Sequence, residues 1–171
     1  MKKVNINTEG NPEFLNSFLD YTATILNKSP NTVKEYNYDL NMFLKYILMH
    51  FKMTDSKELQ EVIIRDMSID MVAKITLDDI HSFLFYLTNN FNSKAATRAR
   101  KTSSIRVFFN YLCNKKGLIE KNPAQDLETP KLDRRIPKYL TLDDSKKLLD
   151  AVKEDVGDRN SERDYAIITL F

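Results

Sequence analysis

Lys94, Arg98, Arg100, Lys101, Arg106, Lys115, Lys116, Lys121, Lys131, Arg134, Arg135 and Lys138 crowd the stretch 93–138, which holds only Glu120, Asp126, Glu128 and Asp133 as acids. Twelve cations less four anions leave this stretch at about +8, and since the whole chain is +2 the remainder carries about −6. A near-neutral average conceals a strongly basic middle. The chemistry open to such a cluster is the neutralisation of phosphates with release of their condensed counterions, so the partner it implies is a polyanion. Bond-making chemistry has no comparable constellation. His50 and His81 stand far apart without Cys or acids at ligand spacing, and no metal or other cofactor is expected. Neither a Ser-His-Asp arrangement nor a glycine-rich phosphate loop is visible in a chain with three glycines. The single cysteine, Cys113, excludes an intramolecular disulfide and reads as a core or boundary residue beside Leu112.

Phosphate-directed cations need elements that aim them. At helical period Ile105, Phe108, Phe109 and Leu112 share one face and should pack inward, which turns Arg100, Ser103, Ser104 and Val107 outward. Arg106 falls between the two faces, and Arg98 lies near the apolar one. The outer face combines short side chains with an Arg at its start, a surface that would let a helix backbone approach a nucleic-acid groove; the plainer reading is a solvated face. A second stripe, Lys34, Tyr38, Asn41 and Lys45 at spacings of 4, 3 and 4, stands opposite an inner face of Val33, Tyr36, Leu40, Phe43, Leu44 and Ile47. Lys pairs with phosphate while Tyr and Asn reach phosphates or base edges, so this stripe is a second candidate DNA face, with an ordinary wet face as its alternative.

The helices that carry these stripes follow from local signals. Phe14, Phe18, Tyr21 and Ile25 mark an amphipathic helix over 12–27, and Ser29-Pro30 supplies a cap and a favoured first position for a helix over about 30–51. In 52–75, acids outweigh bases, and Leu59, Val62, Ile63 and Met67, then Ile69 and Val72, suggest a short helix and an extended link on the side away from a polyanion. Thr76-Leu77-Asp78-Asp79 reads as a weakened capping box opening a helix to about Asn90, with Leu77, Ile80, Leu84 and Leu87 inward. The basic helix runs from about Ser93 to Lys116 and stops at Gly117. Pro123, Pro130 and Pro137 then argue for a linker, after which Thr141 and Ser161 each begin a further helix.

Composition sets the class. Hydrophobic residues at 42% with ten Phe suffice for a core, and 29% charged residues suit a globular chain. No apolar run approaches the roughly 20 residues of a membrane span, and the amino terminus lacks the apolar centre of a signal peptide, so a cytoplasmic protein is expected. Without long period-two alternation the expected fold class is all-α.

The order of the pieces is itself informative. Thr97-Arg98-Ala99-Arg100-Lys101-Thr102-Ser103-Ser104-Ile105-Arg106-Val107-Phe108-Phe109 is followed by Tyr111-Leu112, Gly117-Leu118-Ile119, Asn122-Pro123-Ala124, Pro130-Lys131, Arg134-Arg135-Ile136-Pro137 and Leu140-Thr141. Upstream stand Ser29-Pro30-Asn31-Thr32-Val33, Tyr36, Asp39-Leu40 and Phe43. The series, over most of 12–171, resembles the tyrosine recombinases, the phage integrases and Xer-like site-specific recombinases. The resemblance implies a SAM-like core-binding bundle of four or more helices over 1–118, an interdomain linker over 119–138 and a truncated start of the catalytic domain over 139–171. It implies double-stranded DNA as partner, bound by Lys34, Tyr38, Asn41, Lys45, Arg98, Arg100, Lys101, Ser104 and Arg106, with Lys131, Arg134, Arg135 and Lys138 following the backbone in the linker.

In this family a tyrosine attacks a DNA phosphodiester with arginine, lysine and histidine support. Those positions would lie beyond Phe171, so the chain alone is expected to be inactive and a parent to cleave and rejoin DNA through a phosphotyrosine. The family works as a tetramer on paired sites, whereas the oligomeric state of this chain stays open, a monomer included. A helical module for an acidic protein partner and an RNA-binding module are the competing readings.

Overall fold

The computed structural model describes residues 8–131, 140–154 and 160–170. The described residues form helices and no strands: α1 (Glu13–Thr24), α2 (Pro30–His50), α3 (Ile69–Ala73), α4 (Leu77–Phe91), α5 (Ala95–Asn110), α6 (Leu142–Glu154) and α7 (Ser161–Leu170). The all-α expectation holds. Arg134, Arg135 and Lys138 lie outside the described residues. The chain divides into two compact units, Met1–Leu132 and Asp133–Phe171.

In the first unit the helices begin where hydroxyls can satisfy free amides. The Ser29 Oγ accepts from the Thr32 amide at 3.2 Å, ahead of Pro30 in the first turn of α2. Thr76 forms a closed capping box with Asp79: the Asp79 amide donates to the Thr76 Oγ1, and the Thr76 amide donates to the Asp79 Oδ2 at 2.8 Å. Endings use left-handed residues. Asn92 closes α4 at φ 46°, and α5 tightens into a π turn, Tyr111–Lys115, before Gly117 at φ +62° hands the Leu118 amide to the Leu112 carbonyl at 2.8 Å.

These boundaries aim the apolar stripes at one core. Phe18 of α1 meets Phe108 of α5 edge-on at 5.4 Å, and Phe43 of α2 meets Phe83 of α4 at 5.2 Å and Phe109 of α5 at 6.1 Å. Offset and edge-on aromatic contacts add about 0.5–1.5 kcal/mol per pair beyond burial. Ile105, Phe108, Phe109 and Leu112 are all fully buried, as the helical period requires. In 52–75 the pattern differs from expectation in detail. Ile64 rather than Ile63 is buried, because Val62 and Ile64 enter the core alternately from irregular chain, while the expected short helix is α3, which holds Ile69 and Val72. Past Gly117 the chain does not leave the bundle at once. Ile119, Ala124 and Leu127 are buried in the same core, and the Asn122 Oδ1 accepts from the Ala124 amide at 2.9 Å to turn the chain beside Pro123.

The second unit contributes α6 and α7. Thr141 caps α6 through the Asp144 amide at 3.1 Å, and the Lys153 ammonium lies 5.4 Å from the centre of the Tyr165 ring. None of the described residues of either helix is buried, and Leu142, Leu148, Ile167 and Leu170 are exposed.

Candidate nucleic-acid interface

Asp39 is the residue through which the two polar stripes meet. It sits on α2 between Tyr36 and Phe43 of the inner face and is fully buried. A buried carboxylate is tolerated only when paired and hydrogen-bonded. Three side chains of α5, at i, i+1 and i+4, meet that requirement. The Arg100 Nη1 donates to Oδ2 at 2.6 Å, the Ser104 hydroxyl to the same oxygen at 2.7 Å, and the Lys101 ammonium to Oδ1 at 2.8 Å. One turn earlier on α2 the Glu35 carboxylate also takes the Arg100 Nη1, at 2.7 Å. Two acids and two bases thus share one cluster, which is close to neutral as a whole.

Exposure separates the two cations. The Lys101 side chain keeps only 4% of its surface, with its ammonium 4.8 Å from the centre of the Tyr38 ring. Its charge is spent inside the protein, and the expectation that Lys101 faces a ligand meets a buried ion pair instead. Arg100 keeps 40% and Glu35 53%, so the outer half of the cluster is open to solvent. Tyr38, 60% exposed, covers Lys101 from outside. Ser104 is buried as a donor to Asp39, leaving Ser103 as the exposed hydroxyl of that face, while Val107 packs partly against the core.

The remaining candidates divide between free and committed side chains. Lys34 and Lys131 are exposed. Asn41 is bound into an asparagine network, its amide donating to the Asn11 Oδ1 at 2.8 Å and the Asn37 Oδ1 at 2.9 Å. Lys45 donates to the Gln60 carbonyl at 3.2 Å. Glu58 of the acidic segment lines the same groove, of about 450 Å³, as Tyr38, Asn41 and Lys45. The segment expected on the side away from a polyanion thus borders the Lys45 end of the α2 stripe, where it contributes Lys57 as well as Glu58. Arg98 donates to the Ser93 carbonyl at the start of its own helix. Arg106 donates to the Leu127 carbonyl and, at 3.2 Å, to the Thr129 hydroxyl, so it holds the returning chain to α5.

Glu35 and Asp39 are the site residues that charge counting passed over. The signal lay in the spacing: Tyr36, Asp39, Leu40 and Phe43 run i, i+3, i+4, i+7, so an acid on an apolar stripe had to find a cation from another helix. Burial pushes Tyr36, Tyr46 and Tyr111 up from the ordinary tyrosine range, with Asp79 adding to the effect at Tyr46 and Asp20 at Tyr111. An attacking oxygen needs the opposite shift or an adjacent base.

The chain is 44% identical over 161 residues, 94% of its length, to the tyrosine recombinase XerC of Caldanaerobacter subterraneus subsp. tengcongensis. It is 29% identical over 158 residues to the tyrosine recombinase XerC of Thermodesulfovibrio yellowstonii, and 28% identical over 158 residues to the tyrosine recombinase XerD of Listeria monocytogenes. The last two alignments each take in 92% of the chain. The chain spans only 44%, 44% and 46% of these relatives' own lengths. No family model matches the chain, and no solved structure matches it.

Proposed function

We propose that this chain, a Xer-like tyrosine recombinase sequence over the stretch it shares with its relatives, binds double-stranded DNA and positions it for strand exchange. The observation that carries the proposal is the match itself, which runs through 94% of the chain at 44% identity to a protein named a tyrosine recombinase. The geometry supports it. Arg100, Ser103, Tyr38 and Lys34 are exposed on α5 and α2, and the Asp39 cluster joins the two helices along that side.

Double-stranded DNA suits such a surface because phosphates take charge-assisted donors from rigid helices, while a few exposed side chains between them reach base edges. The helical bundle to residue 118, with the first part of the 119–138 connection packed into its core through Ile119, Ala124 and Leu127, is the proposed DNA-binding domain, and 139–171 the start of the catalytic domain. Lys131, Arg134, Arg135 and Lys138 are proposed to follow the DNA backbone. Cleavage and rejoining through a phosphotyrosine are assigned to a whole recombinase, in the part of the relatives that this chain does not span. Work on chromosomal or phage DNA would place the protein in the cytoplasm, and no helix among the described residues is long and apolar enough to cross a membrane.

Competition decides between this reading and the other polyanion and acidic-partner readings. A labelled mixed-sequence duplex titrated with the chain should remain bound when single-stranded RNA or poly-glutamate is added in excess. Displacement by the RNA at equal concentration, or by poly-glutamate, would overturn double-stranded DNA as the ligand.

A further inference from the structure

We infer that Glu35 is a built-in competitor for the DNA phosphate at Arg100: it holds the guanidinium while no DNA is bound, and a phosphate oxygen displaces it. This rests on the proposed DNA-binding function and adds to it a specificity-determining residue that is itself anionic. The two carboxylates on Arg100 are not equivalent. Asp39 is fully buried and receives Lys101 and Ser104 as well, so it stays in place and fixes the Arg100 side chain from the protein side. Glu35 is 53% exposed and meets Arg100 at 2.7 Å from the solvent side. Glu35 meets the Arg100 Nη1 through one oxygen, and a phosphate oxygen is an anionic acceptor of the same kind, so an incoming phosphate can take the place of Glu35 without moving Arg100.

Two consequences follow from that exchange. Arg100 is preorganised, because the rotamer that would meet a phosphate is already held by the buried Asp39. Every duplex must also displace an anion. A weak or misplaced phosphate contact does not repay that displacement, which gives discrimination through an unfavourable term against poor ligands. Once displaced, Glu35 would stand close to the phosphate unless it rotates toward solvent, which its exposure permits.

The test is a double-mutant cycle on duplex affinity. Glu35→Gln keeps the size of an exposed side chain and removes its charge, and it should tighten binding to a mixed-sequence DNA duplex about three- to fivefold at low salt, the scale of an exposed ion pair. In an Arg100→Gln background the same change should have no effect, since the anion then has nothing to withhold. A tightening that persists undiminished with Arg100→Gln would identify a long-range charge effect and overturn the inference. So would Glu35→Gln affinity equal to or weaker than that of the unmodified chain. Circular dichroism of all four proteins shows whether the helices are intact. Failure of the unmodified chain to bind the duplex would sink the DNA-binding function and this inference together, whereas binding that Glu35→Gln leaves unchanged sinks the inference alone.

Discussion

Asp39 gathers on one carboxylate an arginine, a lysine and a hydroxyl from a neighbouring helix, all within 2.6–2.8 Å. Such a group contributes little net energy relative to a well-packed apolar substitute, yet breaking it is costly, because the partner left behind is charged and buried. Asp39→Asn leaves the Lys101 ammonium without a counter-charge in a site where it keeps 4% of its surface. The expected loss is about 3–5 kcal/mol of unfolding free energy. Lys101→Met should cost less, since Asp39 keeps Arg100 and Ser104. Urea denaturation followed by circular dichroism compares the two variants. Losses of under about 0.5 kcal/mol for both, the usual range of a plain surface substitution, would remove the cluster from the fold's essential contacts.

At the scale of elements, α2 and α5 are held in the bundle by α1 and α4, and phenols at those contacts report on the packing: Tyr36 and Tyr111 meet Phe18 of α1, and Tyr46 meets Phe83 of α4. Tyr36 and Tyr46 on α2 and Tyr111 at the end of α5 are all pushed above the ordinary value of 10.0, chiefly by burial. The folded chain therefore holds these protons at a pH where the unfolded chain has released them. A raised folded-state value contributes stability that is complete below the unfolded value and declines as pH rises past it. The urea midpoint should thus be steady up to about pH 10 and fall above it, and Tyr36→Phe should make the fall shallower. A midpoint that rises through that window would contradict the burial of these rings.

Helix positions were legible in the sequence because their signals are local: Ser29-Pro30, the Thr76 box and Gly117 each act within one turn. The buried face of α5 was legible for the same reason, since period alone aligns Ile105, Phe108, Phe109 and Leu112. The partners of the basic side chains were not. Lys101 and Asp39 are 62 residues apart, Arg106 and Leu127 are 21 apart, and only the fold decides that they meet. Charge counting therefore treated Arg100, Lys101 and Arg106 alike. Folding leaves Arg100 half open, buries Lys101, and sets Arg106 to holding the chain that returns past Pro123.

For the whole molecule, the distribution of charge matters more than its total. A chain of net +2 would bind a polyanion weakly if its cations were evenly mixed with its acids, but here about +8 is concentrated in 93–138. Part of that excess is neutralised internally, as the Asp39 cluster shows, so the proposed DNA face would meet fewer phosphates than the chain has cations. The dependence of duplex affinity on salt reports that number, because each neutralised phosphate adds about 0.9 to the magnitude of the slope of log K against log salt. The most direct measurement is therefore that slope for the unmodified chain beside a variant carrying Lys34→Gln, Arg100→Gln and Lys131→Gln, all three exposed in the structure. A DNA face built from α2, α5 and the chain beyond them predicts a steep slope that becomes shallower in the variant by up to about 0.9 for each phosphate no longer neutralised. Equal slopes and equal affinities for the two proteins would contradict it.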